Sequence, residues 1–389
     1  MIYFDHNATT PPLPEAKQTW LEICDQFFGN PSSPHRLGSR ADRALNEAKE
    51  KLAAVLGCHA EDIAFTSGAT ESNNMVLHHY ARTLSADTEV WISAIEHPCL
   101  LEPARYYFGR RLQFIPVTSD GLTELNWIRE KLKRSRPALI AVMAANNETG
   151  ALQPWSEVMD LCHEREVPFF CDAVQWLGKL PAGQLGECDW VTGSAHKFGG
   201  TRGVGFVKVP ARLSIIPLLR GGPQEAARRA GTENVAGASA MVAALEIREK
   251  QIAQSNPSKL AKRRDAFERQ LMSIIPGSQI LSAKVPRLWN TASALMPETD
   301  CRQRWVVKLD KLGLAVSTGS ACSSGKEAPS HVLRAMGMSA KDAGRVLRFS
   351  AGWETSASDW SALIHALNLV GKMTPRPAKK NLAKSRTTQ

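Results

Sequence analysis

The stretch Ser194-Ala195-His196-Lys197-Phe198-Gly199-Gly200 places one lysine between a short apolar strand and a glycine turn. Upstream, the apolar run at 169–171 ends in Asp172. Far downstream, Cys322 lies in a loop rich in serine and glycine. Because ligands bind at the carboxyl ends of strands in open α/β sheets, a lysine and an acid at successive strand ends predict a common site. Together with the cysteine they indicate an enzyme.

The amine of Lys197 indicates a particular cofactor. Lysine forms Schiff bases with aldehydes, and pyridoxal phosphate (PLP) uses such a lysine in its resting state. PLP also needs a carboxylate at its ring nitrogen, backbone donors for its phosphate and a flat partner for its ring. Asp172, the turn at 67–70 and His97 meet these needs in that order. Each residue alone more often has an ordinary role, such as a solvated lysine or a helix-capping aspartate.

The turn at 67–70 follows a short strand and opens a helix, so it presents unpaired N–H groups and the positive end of a helix dipole. This arrangement suits one phosphate. It does not match the glycine spacing of dinucleotide-binding or P-loop motifs, which disfavours NAD and ATP as ligands.

Composition indicates a globular protein of two domains, since the chain has 389 residues, of which 43% are hydrophobic and 22% charged. No apolar run approaches the ~20 residues of a membrane span, and no signal or transit peptide is visible at the N-terminus. A cytoplasmic location is therefore expected. The eight cysteines include no C-x-x-C pair, so zinc-ribbon spacing is absent and reduced thiols are expected.

The net charge is +10, but six of the basic residues follow Gly371 with no acid among them. A block of like charge containing Pro375 and Pro377 predicts a solvated, disordered tail at 372–389, with docking or anion binding as the alternative. Because this tail accounts for most of the excess charge, a nucleic-acid partner is not favoured.

Short apolar segments alternate with helical patterns through the first 255 residues. Several of these segments are apolar throughout, as expected of strands covered on both faces, and the alternation predicts an α/β fold with a mostly parallel sheet. The predicted strands are 62–66, 90–93, 112–117, 138–144, 167–171, 190–192 and 204–207, and the predicted helices include 36–56, 100–108, 124–132 and 156–165.

An α+β pattern begins near Asn256. The predicted organisation is an N-terminal segment at 1–14 that joins the small domain, a large PLP-binding domain at 15–255, and a small α+β domain at 256–371 that carries the cysteine loop.

The ordered motifs resemble those of cysteine desulfurases of the NifS/IscS type, a branch of the class V aminotransferase-like, fold-type I PLP enzymes. The resemblance covers the chain from Tyr3 to about Gly352. It rests on Asp5 with 7–11, 29–33 with His35, 66–73, Glu96-His97, 146–150, Asp172-Ala173 with Gln175, Ser194 with His196-Lys197, Arg229 with Gly231-Thr232, 316–322, and 333–334 with 348–350.

The resemblance implies a role for each matching residue. Lys197 carries PLP and Asp172 pairs with its ring nitrogen, while His97 stacks on the ring and Gln175 bonds the ring hydroxyl. Asn147 and Arg348 bind the substrate carboxylate, and Cys322 receives the sulfur as a persulfide. The phosphate is held by Ala69, Thr70, Ser194 and His196, with Thr232 from the neighbouring subunit of a homodimer; no metal is implied.

The resulting hypothesis is an L-cysteine desulfurase that releases alanine and passes sulfur to an acceptor, such as an iron–sulfur scaffold or a tRNA-thiolating enzyme. One alternative is a related PLP lyase or aminotransferase acting on selenocysteine or cysteine sulfinate. Another is a non-catalytic binding protein that uses the basic tail. The ordinary alternative for Arg348 is a surface salt bridge. The ordinary alternative for Cys322 is an inert buried thiol.

Overall fold

The structure is a computed structural model, and it describes residues 1–211, 213–255, 257–298, 304–318 and 330–372. Within this part of the chain the strands are β1 (Ile2–Tyr3), β2 (Ile63–Thr66), β3 (Val90–Ser93), β4 (Leu112–Ile115), β5 (Leu139–Ala141), β6 (Phe169–Asp172), β7 (Trp190–Ser194), β8 (Gly205–Lys208), β9 (Gln279–Ile280), β10 (Thr291–Leu295), β11 (Leu314–Ala315), β12 (Ser317–Thr318) and β13 (Val346–Ser350).

The helices of the described residues pack on both faces of the larger sheet and against the smaller ones. None of them combines the length and the apolar character that crossing a bilayer requires. They are α1 (Pro14–Gln26), α2 (Arg36–Leu56), α3 (Ala69–Thr83), α4 (Pro98–Phe108), α5 (Leu125–Leu132), α6 (Trp155–Glu164), α7 (Val235–Gln254), α8 (Pro257–Ile274), α9 (Arg304–Lys311), α10 (His331–Ala335), α11 (Ala340–Ala343) and α12 (Ala357–Lys372).

Seven strands form the large sheet, in the order β2-β8-β7-β6-β5-β3-β4. The pairs from β7 through β6, β5 and β3 to β4 are parallel, whereas β8 runs antiparallel to both β7 and β2. Strands β2, β3, β5, β6, β7 and β8 are buried along their whole length, because helices cover both faces. The predicted mostly parallel α/β sheet is therefore confirmed.

A four-stranded antiparallel sheet, β12-β13-β10-β9, lies in the C-terminal third of the chain. It packs with α8, α9 and α12 around a separate apolar core that includes Phe267, Trp305 and Phe349. The exact domain bounds at 15–255 and 256–371 stay a prediction. Of the predicted tail at 372–389, only Lys372 is described, and it ends α12. The rest of that tail and the segment with Cys322 lie outside the described residues.

The first thirteen residues connect the two sheet systems. Strand β1 pairs in parallel with β11, and Asp5 bridges to Ser350 on β13. A few residues later, the N–H of Thr10 donates to the carbonyl of His196. The N-terminal segment therefore runs from the small sheets to the end of β7.

Candidate active site

A cavity of about 490 Å³ lies at the carboxyl ends of the parallel strands and beside the N-terminus of α3. Its volume falls within the range of small-molecule sites, ~300–1,000 Å³. The residues predicted from the sequence that line it are Ala69, Thr70, His97, Asn147, Asp172, Gln175, Ser194, His196 and Lys197. Arg348 and Thr232 do not line this cavity, and Cys322 lies outside the described residues.

Lys197 lies in a short 3₁₀ turn directly after β7. Its Nζ donates to the carbonyl oxygens of Asn7, at 2.7 Å, and Ala8, at 2.9 Å. The Thr10 hydroxyl in turn donates to the Lys197 carbonyl at 3.0 Å. The N-terminal segment thus forms one wall of the cavity and fixes the direction of the lysine amine.

Asp172 ends β6 and is 5% exposed. Burial raises the pKa of its carboxyl group, and hydrogen bonds oppose this rise. Asn73 donates Nδ2 to Asp172 Oδ2 at 2.9 Å, and the Val174 N–H donates to Oδ1 at 3.0 Å. Asn73 is itself oriented by Thr192, whose hydroxyl donates to Asn73 Oδ1 at 2.8 Å. The carboxylate is therefore held by neutral donors.

His97 caps the N-terminus of α4, where its Nδ1 accepts from the N–H of Cys99 at 3.1 Å. Burial lowers the pKa of its imidazole to about 4, with the positive charges of Lys197 and His331 adding to the effect. At neutral pH the ring is therefore uncharged. Because Nδ1 accepts, the proton resides on Nε2.

The N-terminus of α3 forms a cradle of backbone donors, since the first N–H groups of a helix lack intrahelical partners. Gly68 precedes this helix with φ +151°, a conformation that side chains rarely adopt. The Ser194 hydroxyl lies opposite, 3.6 Å from the position of a Cβ on Gly68. His196 completes this side, and its Nδ1 lies 3.1 Å from the Thr9 hydroxyl.

The Gln175 carboxamide lies at the other side of the cavity and is 5% exposed. Its Nε2 donates to the Asn7 carbonyl at 3.0 Å, and its Oε1 accepts from Lys179 Nζ at 2.7 Å. The Asn7 carbonyl therefore receives both Gln175 and Lys197, which couples these two residues through one oxygen.

Arg348, on β13, is 1% exposed. It is therefore not a surface residue, as the alternative of a surface salt bridge required. It nevertheless forms an ion pair, from Nη2 to Asp5 Oδ1 at 2.7 Å, and its Nη1 donates to the Asn147 carbonyl at 3.0 Å. Arg348 thus reaches the cavity wall through Asn147. Thr232 is exposed and does not line this cavity.

The residues around this site that were given no role from the sequence include Asp5, Asn7, Asn73 and Lys179. Asp5 and Asn7 belong to a motif that was recognised without a role, and Asn73 lies one helical turn after the phosphate-cradle residues, a spacing that could have placed it. Lys179 follows Gln175 by four residues and offered no signal before its burial was known.

The residues present fit PLP. Among the described residues, the hydrogen bonds to Asp172 come from Asn73 and Val174, neither of which is a cation. A buried carboxylate is stabilised as an anion by an opposite charge nearby. The Lys197 amine contributes some positive charge, and a protonated pyridine nitrogen would supply a cation paired directly with Asp172. The Lys197 amine, the helix N-terminus and the neutral ring of His97 line the same cavity.

Comparisons with known proteins agree with this chemistry. The family model of aminotransferase class-V matches residues 2–363. A cysteine desulfurase of Rhodobacter capsulatus is 37% identical over 382 residues, which are 97% of this chain and 98% of that protein. The cysteine desulfurase IscS of Dictyoglomus turgidum is 35% identical over 374 residues, 95% of this chain and 94% of that protein. The solved structure of a NifS-like protein from Rickettsia africae matches with a TM-score of 0.85 and 32% identity, covering 96% of this chain and 99% of that one.

The chain belongs to the aminotransferase class-V family, whose fold and site are those of a PLP enzyme. Within this family it is a cysteine desulfurase of the NifS/IscS type. The predicted family, enzyme class and cofactor are therefore confirmed. The relatives favour a desulfurase over a lyase or aminotransferase for selenocysteine or cysteine sulfinate, and over a non-catalytic binding protein.

Proposed function

We propose that the chain takes sulfur from L-cysteine, releases alanine and carries the sulfur on Cys322. The observation that carries this proposal is the placement of the Lys197 amine and the Asp172 carboxylate in one cavity. When bound, PLP supplies a cationic ring that draws electrons from the α-carbon of an amino acid. Lys197 would hold the cofactor, and Asp172 would keep its ring nitrogen protonated.

The phosphate group would be bound by the N–H groups of Ala69 and Thr70 with the side chains of Ser194 and His196. The positive end of α3 supports this assignment, since it favours an anion. We also propose a homodimer in which Thr232 of the partner subunit completes the phosphate site. Thr232 is exposed and does not line the chain's own cavity, which supports that role.

The ring would lie against His97, and the Gln175 carboxamide would donate to its hydroxyl oxygen. His97 is uncharged because burial lowers its pKa to about 4, so its face can stack on a cationic ring without repulsion. Its Nε2 is available to hold or move a proton.

Asn147 and Arg348 would bind the carboxylate of the substrate. The hydrogen bond from Arg348 Nη1 to the Asn147 carbonyl supports a shared role. The residues that flank the Cys322 loop also lie here. Ser317 on β12 is opposite Arg348, and the Ser330 hydroxyl donates to Glu148 Oε2 at 2.5 Å.

For sulfur transfer, the thiolate of Cys322 would form an S–S bond with the substrate sulfur while the bond between that sulfur and the substrate Cβ breaks. The electron pair of the broken bond would stay with the carbon fragment, and Cβ would take up a proton to become the methyl group of alanine. A thiol with an ordinary pKa of ~8.5 is only a few per cent ionised at neutral pH, so Cys322 must lose its proton before the attack. The resulting persulfide would be passed to an acceptor protein, an iron–sulfur scaffold or a tRNA-thiolating enzyme, in the cytoplasm.

The test is to incubate the purified protein with L-cysteine and to measure sulfide and alanine. Cys322→Ser should abolish sulfide release and leave the cofactor absorbance near ~420 nm unchanged, whereas Lys197→Ala should remove that absorbance. Cys24→Ser is the matched control, because Cys24 is an exposed thiol on α1. Full activity of Cys322→Ser would refute the persulfide role.

A further inference from the structure

Lys179 is a buried lysine beside the cofactor cavity. It is 4% exposed, and its Nζ donates to the carbonyl of Gln175 at 3.1 Å and to Gln175 Oε1 at 2.7 Å. Its own carbonyl accepts from the indole N–H of Trp289 at 3.1 Å. Within the part of the chain that the structure describes, both hydrogen bonds of the Lys179 amine go to Gln175, one to its backbone carbonyl and one to its carboxamide.

The Gln175 carboxamide has a defined polarity. A backbone carbonyl can only accept, so the group facing Asn7 must be the Nε2 amide. The opposite end, facing the Lys179 amine, is then Oε1. If the carboxamide were reversed, Oε1 would face the Asn7 carbonyl oxygen, and neither oxygen could donate a hydrogen bond. One of the two Nε2 hydrogens is used by Asn7, and because Gln175 lines the cavity, the second can donate to a group bound there.

We infer that Lys179 is a positioning residue that fixes the Gln175 carboxamide so that an N–H, and not the carbonyl oxygen, faces the ring oxygen of the cofactor. The inference rests on the proposed contact between Gln175 and that ring hydroxyl. It adds a residue that acts through Gln175 and does not itself line the cavity.

The electrostatic setting agrees with an orienting role. Burial lowers the pKa of the Lys179 amine well below its ordinary value, and the positive charges of Lys197 and Arg348 lower it further. The imidazoles of His6 and His196 nearby are neutral at pH 7, because burial lowers the pKa of each to about 4. The Lys179 amine has hydrogens to donate to Gln175 in either protonation state, and the geometry has it donating to Gln175 Oε1.

The test compares holoenzymes in which the pH midpoint of the visible cofactor absorbance is titrated. Lys179→Met removes the donor at nearly constant volume, and we expect a midpoint shift of about 0.5–1 pH unit, in the same direction as in Gln175→Ala. The double variant should match Gln175→Ala alone, since Lys179 acts through Gln175. Lys208→Met is the matched control, because Lys208 is equally buried and donates to the Cys188 carbonyl away from the cavity.

A wild-type midpoint in Lys179→Met, with a shifted midpoint in Gln175→Ala, would overturn the inference, as would additive shifts in the double variant. An unchanged midpoint in Gln175→Ala would instead refute the proposed role of Gln175, and the inference with it. Sulfide release is measured separately, so that failure of the inference is distinguished from failure of the proposed desulfurase activity. If Lys179→Met does not fold, Lys179→Gln decides. Its amide ends one bond short of the lysine nitrogen, so the hydrogen bond to Gln175 Oε1 is lost. A midpoint shifted toward that of Gln175→Ala supports the inference, and a wild-type midpoint refutes it.

Discussion

Asp5 and Arg348 are 343 residues apart in the chain and form an ion pair of 2.7 Å at the edge of the active site. Arg348 is buried, whereas the Asp5 side chain is 22% exposed. The guanidinium proposed to bind the substrate carboxylate is thus already bound by a carboxylate of the protein. Substrate and Asp5 must therefore compete for Arg348 or share it.

Asp5→Asn should lower the KM for L-cysteine about fivefold, because an ion pair worth ~1 kcal/mol no longer opposes the substrate. The melting temperature should fall at the same time, since Arg348 loses its charged partner. Steady-state kinetics and thermal unfolding measure the two effects. Asp42→Asn, an exposed position on α2, is the control, and an unchanged or higher KM in Asp5→Asn would contradict competition.

Asn73→Leu should weaken PLP binding by about 10–100-fold, because a hydrogen bond to a charged group contributes ~1.5–3 kcal/mol. Without the Asn73 donor, the pKa of the buried Asp172 carboxyl should rise further, and its pairing with the ring nitrogen should weaken. Titration of the apoprotein with PLP, followed by absorbance, gives the affinity. Asn46→Leu on the exposed face of α2 should bind PLP normally, and equal affinities in the two variants would exclude this role for Asn73.

His97 should make the folded protein less stable as the pH falls from about 6.5 to 4. Burial lowers the pKa of His97 to about 4 in the folded state, whereas the unfolded value is ~6.5. Between these values the unfolded chain binds the additional proton, so acid favours unfolding, by up to ~1.4 kcal/mol per pH unit.

Denaturant unfolding between pH 7.5 and 4.5 measures this dependence. His97→Asn should have a flatter dependence than the wild type, whereas His365→Asn, at an exposed position on α12, should not. Identical slopes in wild type and His97→Asn would contradict the lowered pKa.

Glu148 should affect the pH dependence of folding stability in the opposite direction to His97. Burial raises the pKa of its carboxyl group to about 7, against the hydrogen bond from Ser330 and the positive charge of Arg348. Stability is therefore lost as the pH rises from about 4.5 to 7, because the folded protein holds the proton that the unfolded chain releases. Glu148→Gln should stabilise the protein at pH 8 relative to pH 5 by on the order of 1–3 kcal/mol, and the exposed Glu47→Gln serves as the control.

Local signals in the sequence predicted much of the large sheet. Helix α2 was predicted at its observed bounds, 36–56, because its apolar residues recur at helical spacing and Gly57 ends it with φ +77°. Helices α1 and α7 were missed. In α1 only Ala16 is buried, and α7 is buried on most of its surface, so neither has the one-sided apolar stripe on which periodicity depends.

The site was predictable where its residues lie at the ends of sheet strands, as Asp172 and Lys197 do. The contacts of Asn7 with Lys197 and of Asp5 with Arg348 span 190 and 343 residues. Such contacts depend on how the small sheets and the N-terminal segment dock on the large sheet, and no local spacing encodes this docking.

The carbonyl groups that receive the Lys197 amine belong to the first eight residues of the chain, which are also anchored to the small sheets. A product shortened to Thr10 by an aminopeptidase would retain this lysine, Asp172 and His97. It should nonetheless fail to retain vitamin B6, since the oxygens that orient the amine would be missing. Inactivation by N-terminal trimming is thus an expected property of this enzyme.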